Sequence, residues 1–112
     1  MQFLFIKVME KSYKNDIFLA LQSVEINKAS YYEAQNLDAV FTDEIPILKG
    51  LFSSKDKEDR KILIITAVVE SKKQVEDFIR ILEESGIDIK NNEIIRLMTM
   101  PIDFYFEPDF NK

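Results

Sequence analysis

The sequence predicts an α+β domain in which two helices cover one face of an antiparallel sheet. Four strand-like runs and two segments with helical spacing support this class. The strand-like runs occupy residues 2–9, 29–39, 61–69 and 94–100, and a helical segment follows the first and the third of them. The order strand, helix, strand, strand, helix, strand corresponds to a ferredoxin-like βαββαβ arrangement, since right-handed crossovers leave few alternatives.

The first strand and the first helix are separated by a change of pattern at Ser12. Residues 2–9 are almost continuously apolar, as expected for a buried central strand. After Ser12 the apolar residues recur at helical spacing, and Ser12 or Asn15 is the predicted N-cap. The predicted buried stripe of this helix is Ile17, Ala20, Leu21 and Val24.

The second predicted strand has polar and apolar residues on both faces, whereas the third is almost wholly apolar. Residues 29–39 alternate without a purely apolar face, which indicates an edge strand or a surface between subunits. One face carries Tyr31, Glu33, Gln35 and Leu37, and the other carries Tyr32, Ala34 and Asn36. Residues 61–69 are rich in β-branched residues and almost wholly apolar after Lys61, so this strand is predicted to be central and buried.

The second helix has recognisable start and stop signals. Ser71 and Gln74 have the spacing of a capping box, which predicts a helix beginning at Lys72. Gly86 supplies the left-handed residue with which many helices end. The predicted apolar stripe is Val75, Phe78, Ile79 and Leu82.

The last strand leads into an aromatic tail, residues 101–112. Residues 94–100 form the predicted strand, and Pro101 closes it because proline lacks an amide donor. Met98 and Met100 are interpreted as strand packing. The aromatic side chains of residues 104–110 are predicted to cover the open sheet or an interface between subunits, with ligand stacking as the alternative.

Composition predicts one compact domain spanning residues 1–112, because the chain is 46% hydrophobic and 31% charged. No apolar run approaches the roughly 18 residues that cross a bilayer. Residues 1–8 lack the basic start and cleavage site of a signal peptide. We therefore expect a cytoplasmic protein without direct membrane insertion.

The absence of cysteine and histidine excludes several kinds of chemistry. Thiolate nucleophiles, imidazole bases and histidine metal sites cannot form, so we expect no enzyme, no catalytic residues and no metal site. The formal charge of −5, without a long basic run, argues against nucleic-acid binding. No cofactor is certain from the residues themselves.

The segment between the second and third strands, residues 40–60, is too long for an ordinary hairpin loop. Its first half is apolar and its second half, SSKDKEDR, is polar. We predict that the apolar half docks on a partner protein. The partner-binding residues are predicted to be Phe41, Ile45, Ile47, Leu48, Leu51 and Phe52.

The chain resembles the PII signal-transduction superfamily in the runs FLFIKVM, LQSVEINKA, YYEAQNLD and RKILIITAVVESKKQVEDFIRILEESG, and in the position of the long loop. The resemblance covers most of the chain and consists of patterns rather than signature motifs. It implies a homotrimer that binds a small ligand in clefts between subunits. It also implies that a T-loop-like segment at residues 40–60 contacts a partner such as a transporter or an enzyme.

The candidate ligand-binding residues are Tyr31, Glu33, Gln35 and Lys90. The resemblance makes an adenine nucleotide the candidate ligand, but the PII-type phosphate motif is absent. The turn at residues 85–93 holds one glycine, one lysine and two acids, and phosphate cradles need free amides and cations. The long loop also lacks the tyrosine that nitrogen-sensing members of the family carry.

Two functions remain open at this point. The chain is expected to be either a PII-like sensor or a structural oligomer whose long loop packs on a neighbouring subunit without any small ligand. A CutA-like metal-tolerance protein shares the topology, but the expected histidine and cysteine ligands are missing. ACT-type amino-acid binding rests on fold analogy alone.

Overall fold

The computed structural model describes residues 1–37 and 61–108, which form one four-stranded sheet with two α-helices. The elements are β1 (Gln2–Val8), α1 (Lys14–Ser23), β2 (Ala29–Gln35), β3 (Lys61–Val69), α2 (Lys72–Glu84) and β4 (Ile95–Pro101). A short 3-10 turn, Lys11–Tyr13, precedes α1. The predicted α+β class and the order of elements are confirmed.

The strand order across the sheet is β2-β3-β1-β4, and every neighbouring pair is antiparallel. β1 and β3 are therefore central, as their apolar runs predict, and β2 and β4 are the two edges. Phe5 lies opposite Thr66 in β3 and opposite Met98 in β4, and Tyr32 lies opposite Ile64. This topology is the ferredoxin-like βαββαβ arrangement.

The hydrophobic core lies between one face of the sheet and both helices. Its members are Leu4, Ile6, Val8, Ile17, Ala20, Leu21, Ile26, Leu63, Ile65, Ala67, Val69, Val75, Phe78, Leu82, Ile87 and Ile95. The stripes predicted for the two helices are confirmed, with Val24 and Ile79 partly buried beside them. Phe78 and Leu82 are fully buried, so truncation of Phe78 to alanine has an expected cost of about 3–5 kcal/mol.

Both helices end with the same pair of hydrogen bonds. At the end of α2, Gly86 N donates to Glu83 O at 3.0 Å and Ile87 N donates to Leu82 O at 3.1 Å. At the end of α1, Glu25 N donates to Gln22 O at 3.0 Å, and the amide of the next residue donates to the Leu21 carbonyl at 2.9 Å. These are Schellman motifs, and the predicted glycine stop at the end of α2 is confirmed.

Both helix starts differ in part from the prediction. Ser12 and Asn15 do not cap α1, because the chain first makes the 3-10 turn, which Glu10 caps by accepting from Ser12 N at 3.4 Å. The helix then begins after Tyr13, which makes no side-chain capping bond. At α2, Ser71 Oγ accepts from Gln74 N as predicted.

The reciprocal half of the capping box is different. Gln74 Oε1 accepts from Glu70 N at 3.0 Å rather than from Ser71 N. Its Nε2 donates to Val24 O at 2.9 Å and to Glu25 O at 3.2 Å. Gln74 therefore ties the start of α2 to the end of α1, a long-range role that the local pattern could not reveal.

Two strand ends also differ from the prediction. β2 ends at Gln35 rather than at residue 39, and residues 38–39 lie outside the described part of the chain. β4 runs from Ile95 and includes Pro101, which lies opposite Gln2. Proline can occupy this position because β4 is an edge strand, with a hydrogen-bonding side that faces away from β1.

The sheet face that points away from the helices is called the open face below. Its large apolar side chains include Tyr32, Met98 and Met100, which are 53%, 56% and 50% exposed, whereas Ile62 and Ile64 on β3 are buried. Met98 and Met100 lie in β4, but each is about half exposed, so neither belongs to the core. The reason is that their register places them on the open face, opposite Phe5 and Phe3.

Two of the tail aromatics are largely exposed to solvent. Phe104 is 82% exposed and Phe106 is 76% exposed, so the predicted covering of the sheet is wrong for both. Phe110 lies outside the described residues. The alternative prediction, an interface between subunits, stays a prediction.

Candidate functional site

Three of the four predicted ligand-binding residues lie on the edge strand β2. The side chain of Tyr31 is 54% exposed beside α1. Glu33 pairs with Lys61, with Oε2 and Nζ 3.6 Å apart. Gln35 ends the strand, opposite Lys61 in β3. The fourth residue, Lys90, lies in the turn between α2 and β4.

Gln35 and Lys90 lie at the same end of the sheet but against opposite edges. β3 begins beside Gln35 and passes Val8 at the end of β1. Met9 N then donates to Ile94 O at 2.8 Å, which joins the end of β1 to the α2–β4 turn. One chain therefore does not bring Gln35 and Lys90 into a single site, since two strands separate them.

A groove of about 330 Å³ lies between α1 and β2 and is called the β2 groove below. Its floor is apolar, its wall holds two aromatic rings, and its rim carries amide and hydroxyl side chains. The floor residues are Leu21, Ile26 and Ile65, the wall residues Phe18 and Tyr31, and the polar rim residues Gln22, Asn27 and Ser30. Such a combination is typical of small-molecule sites.

Lys14 lies at the aromatic wall of this groove. Its Nζ is 5.8 Å from the centroid of the Phe18 ring and 5.5 Å from that of Tyr31. The two rings are 4.9 Å apart with an interplanar angle of 48°. Lys14 and Phe18 share a face of α1 because they are four residues apart. Cation–π contacts of this kind contribute about 0.5–1 kcal/mol at exposed sites.

The outer edge of β2 presents backbone groups beside the groove. Val68 N donates to Lys28 O at 3.2 Å, so Lys28 directs its backbone groups towards β3. Because backbone direction alternates along a strand, Ala29, Tyr31 and Glu33 direct theirs away from β3. Within residues 1–37 and 61–108, no strand pairs with this edge. The edge therefore offers donors and acceptors next to Tyr31.

A second polar cluster holds the tail and is called the tail clasp below. Lys28 Nζ forms an ion pair with Glu107 Oε2, and Tyr105 Oη donates to the same oxygen at 2.9 Å. Lys28 Nζ also lies 5.7 Å from the centroid of the Tyr105 ring. A cavity of about 290 Å³ adjoins Lys28 and Tyr105.

The hydrogen bonds of the clasp shift the pKa values of its three members. The hydrogen bond from Lys28, followed by that from Tyr105, holds the pKa of the Glu107 carboxyl below its ordinary value. The hydrogen bond to Glu107 raises the pKa of the Lys28 ammonium and that of the Tyr105 hydroxyl. All three groups are therefore in their ordinary charge states at neutral pH, with Tyr105 able to donate.

The turn around Lys90 uses its own side chains to satisfy its amides. Asp88 Oδ1 accepts from Lys90 N at 3.2 Å, and Asn91 Oδ1 accepts from Glu93 N at 2.9 Å. A phosphate cradle needs amides that point freely at the ligand. This arrangement agrees with the absence of the PII-type phosphate motif from the sequence.

Sequence reasoning missed Lys14, Phe18 and Lys28. The i, i+4 spacing of Lys14 and Phe18 was a usable signal, but their contact with Tyr31 depends on the tertiary structure. The predicted partner-binding residues of the long loop all lie outside the described residues. They are Phe41, Ile45, Ile47, Leu48, Leu51 and Phe52.

No protein-family model matches the chain, and no curated protein matches it. Of the helices that the structure describes, none is long and apolar enough to cross a membrane. Across residues 1–37 and 61–108, no group of three or more acidic side chains is arranged to hold a metal ion.

Proposed function

We propose that this chain is a PII-like trimeric regulatory protein of the cytoplasm that acts by binding rather than by catalysis. A small ligand binds in the clefts between subunits, and residues 40–60 transmit its presence to a partner such as a transporter or an enzyme. The observation that carries the proposal is the exposed apolar surface of the open face.

The open face supports self-association. Tyr32 lies on the edge strand β2, Met98 and Met100 lie on the opposite edge strand β4, and each of the three is at least half exposed. A neighbouring subunit that packs on the open face would cover these apolar side chains. A second copy is the simplest partner, because an assembly of identical chains buries the same surface on every subunit.

The positions of the predicted ligand residues support a site between subunits. In the proposed ring of identical copies, we place the β2 edge of one subunit next to the β4 edge of another, as a heterologous interface allows. Gln35 of one copy and Lys90 of the next then flank a common cleft, because both lie at the same end of the sheet. Neither residue reaches such a site within its own chain.

Signal transmission follows from the position of the cleft beside the end of β2. The chain continues from Gln35 directly into the segment that contains residues 40–60. A ligand that contacts Tyr31 or Gln35 shifts the states of this segment if its affinity differs between them. The apolar residues of the segment then provide the contact with the partner.

The alternative is a structural oligomer without a small ligand. The open face alone requires only self-association, and the turn at residues 85–93 satisfies its own amides. The two functions differ in whether a metabolite binds the protein and changes its stability and its proteolysis within residues 51–60.

A thermal-shift screen with adenine nucleotides, cyclic nucleotides and 2-oxo acids separates the two functions. A ligand specific for the native state raises the unfolding temperature by mass action. The sensor requires at least one responding compound, and the same compound must change the rate of proteolysis within residues 51–60. No response in either assay contradicts the sensor and leaves the structural oligomer.

Complementation tests whether the cleft lies between subunits. Gln35→Ala and Lys90→Gln each abolish the response when the variant is alone. Co-refolding the two variants in equal amounts restores about a quarter of the clefts, because a cleft needs an intact β2 edge and an intact turn from different copies. A failure of the mixture to respond contradicts a shared site. Lys72→Gln, at the exposed start of α2, is the control and is expected to keep the response.

A further inference from the structure

We propose that the outer edge of β2 pairs with the outer edge of β4 in a second copy of this chain, in an antiparallel register that sets Tyr32 opposite Met98. The inference rests on the proposed function, since it specifies the contact between copies that forms the ligand cleft. It goes further by assigning the residues that face each other across that contact.

The outer edge of β4 is the side of that strand turned away from β1. Met9 N donates to Ile94 O at 2.8 Å, so Ile94 directs its carbonyl towards β1. Because backbone direction alternates along a strand, Ile95, Leu97 and Thr99 direct their N–H and C=O groups outward. Within residues 1–37 and 61–108, no strand pairs with this edge. The sheet therefore presents hydrogen-bonding edges on both sides, one on β2 and one on β4.

The two edges match in length. β2 and β4 contain 7 residues each, so one antiparallel register pairs them completely. In this register the outward-directed residues of the two strands oppose each other, as Tyr31 with Thr99, Glu33 with Leu97, and Gln35 with Ile95. Pro101 lies opposite Ala29 at the end of the ladder, where its missing amide costs only a terminal hydrogen bond. A shift by one residue opposes inward-directed to outward-directed groups, and a shift by two leaves residues at both ends unpaired.

Exposed side chains of the two edges meet on the open face. Tyr32 is 53% exposed and Met98 is 56% exposed. Both direct their backbone groups into their own sheet, so they form a non-hydrogen-bonded pair, in which the Cα atoms are about 4.5 Å apart. At that separation the thioether contacts the aromatic ring. The pairing therefore removes from water two of the apolar side chains that a single chain leaves exposed.

Charge favours the pairing of unlike edges. β2 contains one charged residue, Glu33, and β4 contains one, Arg96. Pairing β2 with β4 sets an acidic strand beside a basic one, whereas pairing like edges brings two carboxylates or two guanidinium groups together. Glu33 also pairs with Lys61 of its own chain at 3.6 Å, an accessible contact that offsets its charge only in part. Pairing of unlike edges also uses both edges of every copy, whereas pairing of like edges leaves one edge of each copy open.

The same register brings the predicted ligand residues to one place. Gln35 lies opposite Ile95 of the second copy, the first residue of β4. Lys90 belongs to the turn that leads into this strand. The cleft is therefore bounded by the end of β2 in one copy and by the α2–β4 turn in the other.

Disulfide crosslinking between two variants tests the register directly, because the chain has no cysteine of its own. Ala34→Cys and Arg96→Cys are prepared separately, co-refolded in equal amounts and oxidised. These positions are opposite each other in the proposed register, and their Cα separation of about 4.5 Å lies within the roughly 4.4–6.8 Å that a disulfide spans. A covalent heterodimer is expected on a non-reducing gel. Tyr32→Cys with Met98→Cys is expected to give the same result.

Ala34→Cys with Met100→Cys is the matched control. Both positions lie on the open face of the same two strands, but Met100 is about 13 Å along β4 from the position opposite Ala34. No heterodimer is expected from this mixture. Circular dichroism checks that each variant keeps the fold.

Three results overturn the inference. One is the absence of a heterodimer from both test pairs, and another is a heterodimer from the control pair, which indicates a different register or non-specific collision. The third is a homodimer of Tyr32→Cys or of Met98→Cys without a heterodimer in their mixture, because like edges then pair.

The inference and the proposed function fail in different ways. A heterodimer from the test pairs, with no active compound in the thermal-shift screen, supports the edge contact and rejects the sensor. A Lys90-dependent ligand response without a heterodimer rejects the register and keeps the sensor.

Discussion

At the scale of single residues, Glu25 and Gly86 occupy equivalent positions at the ends of the two helices. Their φ angles are +62° and +88°, both in the left-handed region, and both are followed by an isoleucine that anchors the motif. A side chain is strained in this region, whereas glycine adopts it readily. The same local geometry therefore stabilises one helix end less than the other.

Adding a side chain at Gly86 and removing the side chain of Glu25 are expected to change the free energy of unfolding in opposite directions. Gly86→Ala destabilises the protein by about 1–2 kcal/mol, since a Cβ at this position meets no atom within 4 Å and the cost is backbone strain alone. Glu25→Gly is expected to stabilise it by up to about 1 kcal/mol, because relief of strain exceeds the entropy that glycine adds to the unfolded chain. Urea unfolding of the two variants measures both changes.

If both substitutions change the free energy of unfolding in the same direction, backbone strain at these positions does not explain the changes. Glu25→Ala is the control, because it removes the carboxylate and keeps the Cβ. Its free energy of unfolding is expected to lie close to that of the unchanged protein, so that any gain from glycine comes from the backbone.

These two residues also show what the sequence can reveal at this scale. Gly86 could be read directly, since glycine after a helical stripe is the common left-handed stop. Glu25 could not, because glutamate in a left-handed conformation has no local signature. Lys14 and Phe18 were missed for a similar reason, since their place in the β2 groove depends on packing against Tyr31 in another element.

At the scale of elements, the tail clasp joins the chain after β4 to the residue before β2. Its stability is linked to pH through Glu107 and Lys28. The pKa of Glu107 lies below its ordinary value of 4.5, so its contribution is fully present above pH 4.5 and is lost as the pH falls through the lowered pKa. The pKa of Lys28 lies above 10.5, so its contribution is fully present below pH 10.5 and is lost as the pH rises further.

The tail is therefore expected to stay attached between about pH 5 and pH 10 and to detach in stronger acid or base. Backbone ¹⁵N relaxation of residues 103–107 measures this, because detachment increases motion on the picosecond to nanosecond timescale. Lys28→Gln is expected to release the tail at neutral pH, whereas Lys72→Gln leaves it attached. If residues 103–107 stay ordered in Lys28→Gln, contacts other than the tail clasp hold the tail.

The elements themselves were predictable where one pattern dominates. The apolar runs of β1 and β3 and the stripe of α2 could be read because burial requires a fixed period of hydrophobic residues. The end of β2 and the start of α1 could not, because exposed strand residues and a 3-10 turn impose no such period. The sequence correctly placed Tyr31 on an edge strand. The β2 groove could not be predicted, because it forms only where α1 packs beside β2.

At the scale of the whole molecule, the sheet has one face in the core and one apolar face outside it. A monomer leaves Tyr32, Met98 and Met100 at least half exposed, and the proposed self-association covers them. In the proposed assembly, edge strands of neighbouring copies lie close together. The proposed ligand cleft and the covering of the open face would then both follow from the same assembly.

The double substitution Met98→Lys with Met100→Lys is expected to dissociate the assembly and leave the subunit folded. Both side chains are about half exposed in the single chain, so lysine there costs the monomer little. In the assembly, the same lysines become buried charges without partners, which costs several kcal/mol. Sedimentation equilibrium measures the mass, and far-ultraviolet circular dichroism checks the fold. Leu19→Lys, at an exposed position of α1, is the control and keeps the mass. An unchanged mass for the double variant means that the subunits meet through another surface.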